Sequence, residues 1–200
     1  MKLRAPADVI RDTSGVTIIE FALISPVLMI MLFGLLDLAH SMYTAQMLQG
    51  AIQKAARDST IEGASTSATT LDGRVSTAVL AIAPGSTLSF SRKSYANFTS
   101  VARPENFDDL NSNGTCDSGE AFEDANKNGT WDKDIGKSGF GGARDAVLYT
   151  VTVAYKRLFP IAAFIPGQAK TITMTATNVL RNQPYGLSGS PGAPGTGNCP

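Results

Sequence analysis

The chain has 200 residues, 43% of them hydrophobic, and its seventeen basic and seventeen acidic side chains cancel. A balanced charge leaves no overall electrostatic footprint for nucleic acid, which excludes that partner class, and the length allows one ordinary soluble domain plus something extra. Distribution matters more than the sum: nine of the acids lie between Glu105 and Asp134, where only Lys127 and Lys133 are basic, and such a block either solvates itself or binds cations. Two cysteines are too few for a disulfide scaffold; one bridge between Cys116 and Cys199 stays open in an oxidising compartment.

In chain order, residues 1–15 form a polar leader in which Lys2, Arg4 and Arg11 outnumber Asp8 and Asp12, so its charge places the N-terminus in the cytoplasm. Val16 to Leu36 follows as an apolar run, and a helix at about 1.5 Å per residue covers a hydrocarbon core of about 30 Å with that length. The run is longer than the apolar core of a cleaved secretory signal. Pro26 lies inside it, as membrane helices tolerate. Glu20 near its start is costly in a bilayer and is by default a functional candidate whose partner must be sought. Asp37, at the far end, reads as an outer-interface residue. Met42, Ala45, Leu48, Ile52 and Ala55 then keep a helical rhythm, so one helix is expected over 16–57.

The region 58–104 is expected to hold a second short helix capped by Asp72 and ended by Pro84 and Gly85, then a first strand over "STLSFSR". Two further strands, "AVLYTVTVAYKRL" and "KTITMTATNVLR", fill 143–183 and should pair antiparallel. The tail, 184–200, is rich in Gly and Pro and should be disordered unless Cys199 is tied down. The fold class is α+β: a long N-terminal transmembrane helix continuing into a small domain with an antiparallel sheet and an inserted loop region over 105–142.

That insertion contains a 15-residue internal repeat, Asp109 aligning with Asp124 and each copy reading D-x-N-x-N-G-T-x-D. This is the oxygen-ligand spacing of EF-hand-type calcium loops: side chains at one, three and five, a glycine for the sharp turn, a carbonyl at seven and an acid at nine. The candidate ligands are Asp109, Asn111, Asn113, Thr115 and Asp117, with Glu120 at position twelve, and Asp124, Asn126, Asn128, Thr130 and Asp132. The second copy has Ile135 at twelve, so Asp134 or Glu123 must complete it. Hard oxygens without a histidine or thiolate pattern indicate calcium rather than zinc. Only Ala121, Phe122 and Glu123 separate the loops, too few for the helix of a paired EF-hand, and the arrangement more closely resembles tandem extracellular calcium repeats of the thrombospondin type 3 or dockerin-like kind. Phe122 and Trp131 are expected to tie the ordered loops to the sheet. His40 is the single histidine and no phosphate-cradling glycine loop is present, so an enzyme is not expected.

Gly15, four residues and then Glu20-Phe21 match the G-x-x-x-x-E-F junction cut by prepilin peptidases, and the chain resembles the type IV pilin superfamily. More narrowly, "GVTIIEFALISPVLMIMLFGLLDLAHSMYTAQMLQGAIQKAAR" is similar to the N-terminal domain of TadE-like pseudopilins of bacterial tight-adherence pilus systems. The resemblance implies cleavage between Gly15 and Val16, a single-pass inner-membrane protein with its C-terminal domain in the periplasm or carried into a surface pilus, and partnership with the peptidase, other pilins, an inner-membrane assembly platform and membrane lipid. It also implies that Glu20, beside Phe21, faces the new N-terminal amine of Val16 in a neighbouring subunit. The competing reading is an uncleaved, membrane-anchored module that binds an extracellular ligand through calcium.

Overall fold

The computed structural model describes residues 15–59, 68–142, 144–181 and 194–200. The charges of the leader and the tail between 182 and 193 lie outside the described residues. The chain forms two compact units, one made of the first helix up to Tyr43 with Lys156–Ile172, the other of Thr44–Tyr155 with Thr173–Pro200. The class is α+β, a long apolar helix followed by a small domain with an antiparallel sheet.

Helix α1 runs from Val16 to Ser59, 44 residues with Pro26 inside. A proline cannot donate to the carbonyl four residues back, and here the Ser25 hydroxyl donates to that carbonyl, Ala22 O, at 3.4 Å. Such local substitution keeps a helix intact through a proline. From Val16 onward the helix is long and apolar enough to cross a membrane, and its large side chains face outward, Leu23 at 77% and Ile18 at 71% exposure. At about 1.5 Å per residue, half of α1 suffices to span.

In the first unit, Lys156–Ile172 packs back on this helix. Phe159 stacks on Phe33 with centroids 5.8 Å apart, and Arg157 forms an ion pair with Asp37, which is buried. Arg157 also donates to the carbonyl of Ala169 (2.8 Å) and to Gln168 (3.2 Å), closing the loop at its base. Asp37 is therefore not simply a residue at an interface; its carboxylate anchors a returning loop.

In the second unit, α1 contributes the buried stripe Leu48, Ile52, Ala55 and Ala56. Helix α2, Ala68–Leu80, buries Leu71, Val75 and Val79 at the same three-to-four spacing. The sheet has the order β3-β1-β4-β5, from β1 (Thr87–Tyr95), β3 (Lys137–Ser138), β4 (Ala146–Lys156) and β5 (Thr171–Arg181). β1 and β4 are antiparallel with Thr87 opposite Ala154 and Tyr95 opposite Ala146. Along β4, Val147, Tyr149, Val151, Val153 and Tyr155 alternate into the core, and each fully buried aliphatic side chain contributes about 1.5–3 kcal/mol. Strand β2 (Ala121–Asp124) lies in a separate two-stranded sheet with β6 (Gly195–Asn198), and a four-residue helical turn, α3, covers Ile161–Phe164.

Asp72 does not cap α2, because the helix already begins at Ala68 and Asp72 lies within it. Its carboxylate instead accepts from Arg92 on β1 (3.1 Å) and from the Tyr149 hydroxyl on β4 (2.6 Å), joining helix to sheet. The Arg92 guanidinium also sits 4.2 Å from the Tyr149 ring centroid and 4.8 Å from that of Phe140. Burial, then Asp72, push the Tyr149 phenol above its ordinary value despite the opposing Arg92.

The exception allowed for the tail applies at its end: Cys199 is tied to Cys116 by a disulfide, and Gly195–Asn198 form a strand antiparallel to β2, Ala121 opposite Asn198 and Asp124 opposite Gly195. The disulfide and the Cys199 amide hold the segment, and its glycines make the close crossing sterically possible. A Cβ on Gly197 would collide with the Phe122 ring, and Phe122 is buried, so only glycine lets the strand cross it.

Candidate functional site

The first group of candidate residues lies at the start of α1. Gly15 precedes the first helical residue, Val16. Val16 and Phe21 are exposed, at 46% and 62%, and Glu20 is exposed as well.

The second group is the repeat, and the two loops take one conformation. Asp109 accepts from the amides of Asn113 (3.1 Å) and Gly114 (2.8 Å); Asp124 accepts from Asn128 (3.1 Å) and Gly129 (2.8 Å). Asn111 Oδ1 accepts from the Asn113 amide and Asn126 Oδ1 from the Asn128 amide, each at 3.0 Å. Asn113 Oδ1 receives the Thr115 amide and Asn128 Oδ1 the Thr130 amide, each at 2.8 Å. The fourth and sixth positions have positive φ in both copies: Ser112 61° and Gly114 76°, Lys127 63° and Gly129 79°. Glycine takes this conformation at position six without the steric cost that Ser112 and Lys127 bear at position four.

The acid at position nine is held in the same way in each copy. Asn111 and Asn113 donate side-chain amides to Asp117, and Asn126 and Asn128 donate theirs to Asp132, both at 2.6 Å. Donation from Asn113, then Asn111, holds the exposed Asp117 carboxyl below its ordinary value.

What closes each loop differs in origin. Glu120, 3% exposed, accepts the amides at positions two and nine of its own loop, Leu110 (3.0 Å) and Asp117 (2.9 Å). In the second loop those positions are Ala125 and Asp132, and their amides reach Glu105, 2% exposed, at 2.8 and 3.0 Å. Glu105 therefore stands to the second loop as Glu120 stands to the first. Sequence reasoning missed it, although the signal was present: Glu105 lies one 15-residue period before Glu120.

Asp134 and Glu123 do not close the second loop. Asp134 accepts from Lys93 Nζ (2.7 Å) and the Tyr95 hydroxyl (2.8 Å) on β1. Burial disfavours its charge, but donation from Lys93, Tyr95 and the Gly136 amide outweighs this and holds the carboxyl below its ordinary value. Burial, reinforced by Asp134, pushes the Tyr95 phenol up to about 12. Glu123 takes the Asn106 amide at 2.9 Å; strand alternation turns Phe122 and Asp124 inward and Glu123 outward.

Position eight anchors each loop. Cys116 is joined to Cys199 by a disulfide, with Cα atoms 5.4 Å apart, and the Cys199 amide donates to Glu120 O at 2.8 Å. In the second loop position eight is Trp131, whose indole donates to Glu105 O at 2.9 Å and meets Phe107 edge-on at 5.6 Å.

The donor set of each loop is all oxygen, carboxylate, side-chain amide and carbonyl, which suits a hard divalent cation. To ligate one, the Asn amides would have to turn their oxygens from the backbone towards the loop centre. Among the described residues, no three Asp, Glu, His or Cys side chains converge closely enough to hold an ion by themselves.

Among the described residues these features define an α+β protein with one helix apolar enough to span a membrane, followed by a small domain that carries a repeated Asx-turn loop. Residues 15–57 match the family model described as TadE-like protein, which bears out the resemblance carried by Gly15, Glu20 and the helical rhythm after them. The matched segment is nearly coextensive with α1. No curated protein and no solved structure matches the chain.

Proposed function

We propose that the chain is a pseudopilin that assembles with or primes a tight-adherence pilus, held in the inner membrane by α1 with its N-terminus cytoplasmic and the domain after α1 periplasmic. The observation that carries this reading is the TadE-like match over 15–57 together with a helix that begins at Val16, one residue after the glycine of the G-x-x-x-x-E-F junction. A prepilin peptidase cleaves between Gly15 and Val16, and the new ammonium of Val16 pairs with Glu20 of a neighbouring pilin. A carboxylate within a membrane segment is tolerable when a cation pairs with it, whereas a lone buried charge costs several kcal/mol, about 3–5 by measured removals of one partner. The work is assembly through helix packing rather than catalysis.

Mass analysis of the chain coexpressed with its cognate peptidase tests this: the mature protein should begin at Val16, and an intact leader on assembled protein would sink the reading. Glu20→Ala should insert at least as well as the unsubstituted chain yet lose crosslinking to neighbouring pilins; unchanged piliation would remove the paired-amine role.

Calcium orders the two loops in this reading. Their matching backbone and all-oxygen donors support it, with Asp109, Asn111, Asn113, Thr115, Asp117 and Glu120 as ligands of the first loop. Asp124, Asn126, Asn128, Thr130 and Asp132 serve the second. Two Asn per loop in place of Asp place the affinity at the weak, extracellular end, on the order of 0.1–1 mM. Calorimetry and limited proteolysis, with calcium or with chelator, should show two weak sites and calcium-dependent protection; no heat at millimolar calcium would leave the loops ordinary turns.

A further inference from the structure

The returning loop of the first unit carries an apolar surface that nothing in the preceding reading uses. From Leu158 to Pro166 the sequence LFPIAAFIP has no charged side chain and no side-chain hydrogen-bonding group, and it is bracketed by Lys156 and Arg157 before it and Gln168 and Lys170 after it. Ile161 is buried, but Leu158 is 64% exposed, Phe164 58% and Ile165 39%. Three large exposed apolar side chains on one short loop set this segment apart from singly scattered surface residues.

The depth of that surface follows from its attachment to α1. Between Glu20 and Asp37 the helix has no charged residue, so Asp37 marks the outer limit of the uncharged stretch. Arg157 pairs with Asp37 at that limit, and Phe159 stacks on Phe33, about one helical turn further in. The loop is thereby held level with the last turn of the apolar stretch. A loop can enter this zone only if little of its backbone is left bare. Here Ile161 donates to Phe159 O, Ala163 to Pro160 O and Ile165 to Ile161 O, while Pro160 and Pro166 have no amide to satisfy. Cationic side chains on both flanks can keep their heads in water while apolar neighbours enter the acyl boundary.

We infer that the loop 157–170 is a second membrane contact: Leu158, Phe164 and Ile165 enter the outer acyl–headgroup boundary beside α1, and the Asp37–Arg157 pair fixes their depth. The loop is fastened at Phe33 and Asp37 to a helix whose large apolar side chains are themselves exposed, which makes the occupant the same bilayer. This rests on the reading of α1 as a membrane span.

The test uses the full chain in phosphatidylcholine–phosphatidylglycerol vesicles at low protein density. Leu158→Cys, Phe164→Cys and, as a reference within the helix, Leu28→Cys each carry a polarity-sensitive fluorophore; the native cysteines are bonded to each other. The labels at 158 and 164 should emit to the blue of the same label on a small thiol in buffer. Nitroxide lipids labelled near the headgroup should quench them as strongly as lipids labelled deeper in the chain quench position 28. Quenching at 28 with water-like emission at 158 and 164 overturns the inference and leaves the span intact. Water-like emission at all three positions removes the span and the inference together. Shielding at 158 and 164 that appears only at high protein density, without nitroxide quenching, assigns the surface to a neighbouring copy and also overturns it.

Discussion

The two loops of the repeat share one backbone, one glycine position and one set of internal hydrogen bonds, yet they are fastened differently. The first is closed by a glutamate from its own C-terminal end, Glu120, and anchored covalently through Cys116 to Cys199. The second is closed by Glu105, which precedes both loops in the chain, and anchored by the Trp131 indole and Phe107. Local sequence is therefore sufficient to shape a loop of this type, while holding it shut is a separate task that different residues can perform.

The strongest way to break this comparison is to remove the covalent anchor. Cys116 and Cys199 are 83 residues apart, and closing a loop of that size contributes about 4.5 kcal/mol in the chain-entropy model. Cys199→Ser should lower chemical-denaturation stability by roughly that order, release β6, and increase hydrogen exchange at Leu110 and Asp117 more than at Ala125 and Asp132. Equal loss in both loops would show that they open as one unit.

Next in size are the two glutamates. Glu105→Ala should cost about 3 kcal/mol, because two part-buried amides lose a charged acceptor, and exchange should accelerate at Ala125 and Asp132. Glu120→Ala should cost about the same and act at Leu110 and Asp117. If Glu105→Ala loosens the first loop instead, its equivalence to Glu120 is wrong.

A smaller effect is expected at Trp131. Trp131→Phe keeps an aromatic ring against Phe107 but loses the indole donor to Glu105 O, for about 1 kcal/mol. Tryptophan-free thermal melts followed by circular dichroism should register it, while Cys116–Cys199 bonding stays intact.

An effect of similar size separates the core from the loops. The Tyr149 phenol is held above its unfolded value near 10, so the stability it confers is complete below about pH 10 and is lost as pH rises above that value towards the folded pKa. Tyr149→Phe should lose about 1 kcal/mol at neutral pH from the broken bond to Asp72 and show a shallower decline in melting temperature above pH 10. Tyr95, pushed up to about 12, adds a second contribution with the same sign, so an unchanged alkaline profile in Tyr149→Phe would assign the whole slope to Tyr95.

Periodic features were legible in the chain by itself. The apolar run and its three-to-four continuation determine α1, the alternating β-branched segments determine β1, β4 and β5, and the 15-residue register determines two loops of one shape. Each is a local preference, decided by neighbours within a few residues. The roles of Asp72 and Asp134 in this structure and the order at the end of the tail depend on distant parts of the chain. The partners of Asp72, Arg92 and Tyr149, lie 20 and 77 residues away; those of Asp134, Lys93 and Tyr95, lie 41 and 39 away. The glycines of the tail, which locally weaken a strand, are what let β6 lie across the buried Phe122 ring. The closing role of Glu105 and the pairing of Asp37 with Arg157, 120 residues apart, likewise arise only when tertiary packing removes water from a charge and leaves it one available partner.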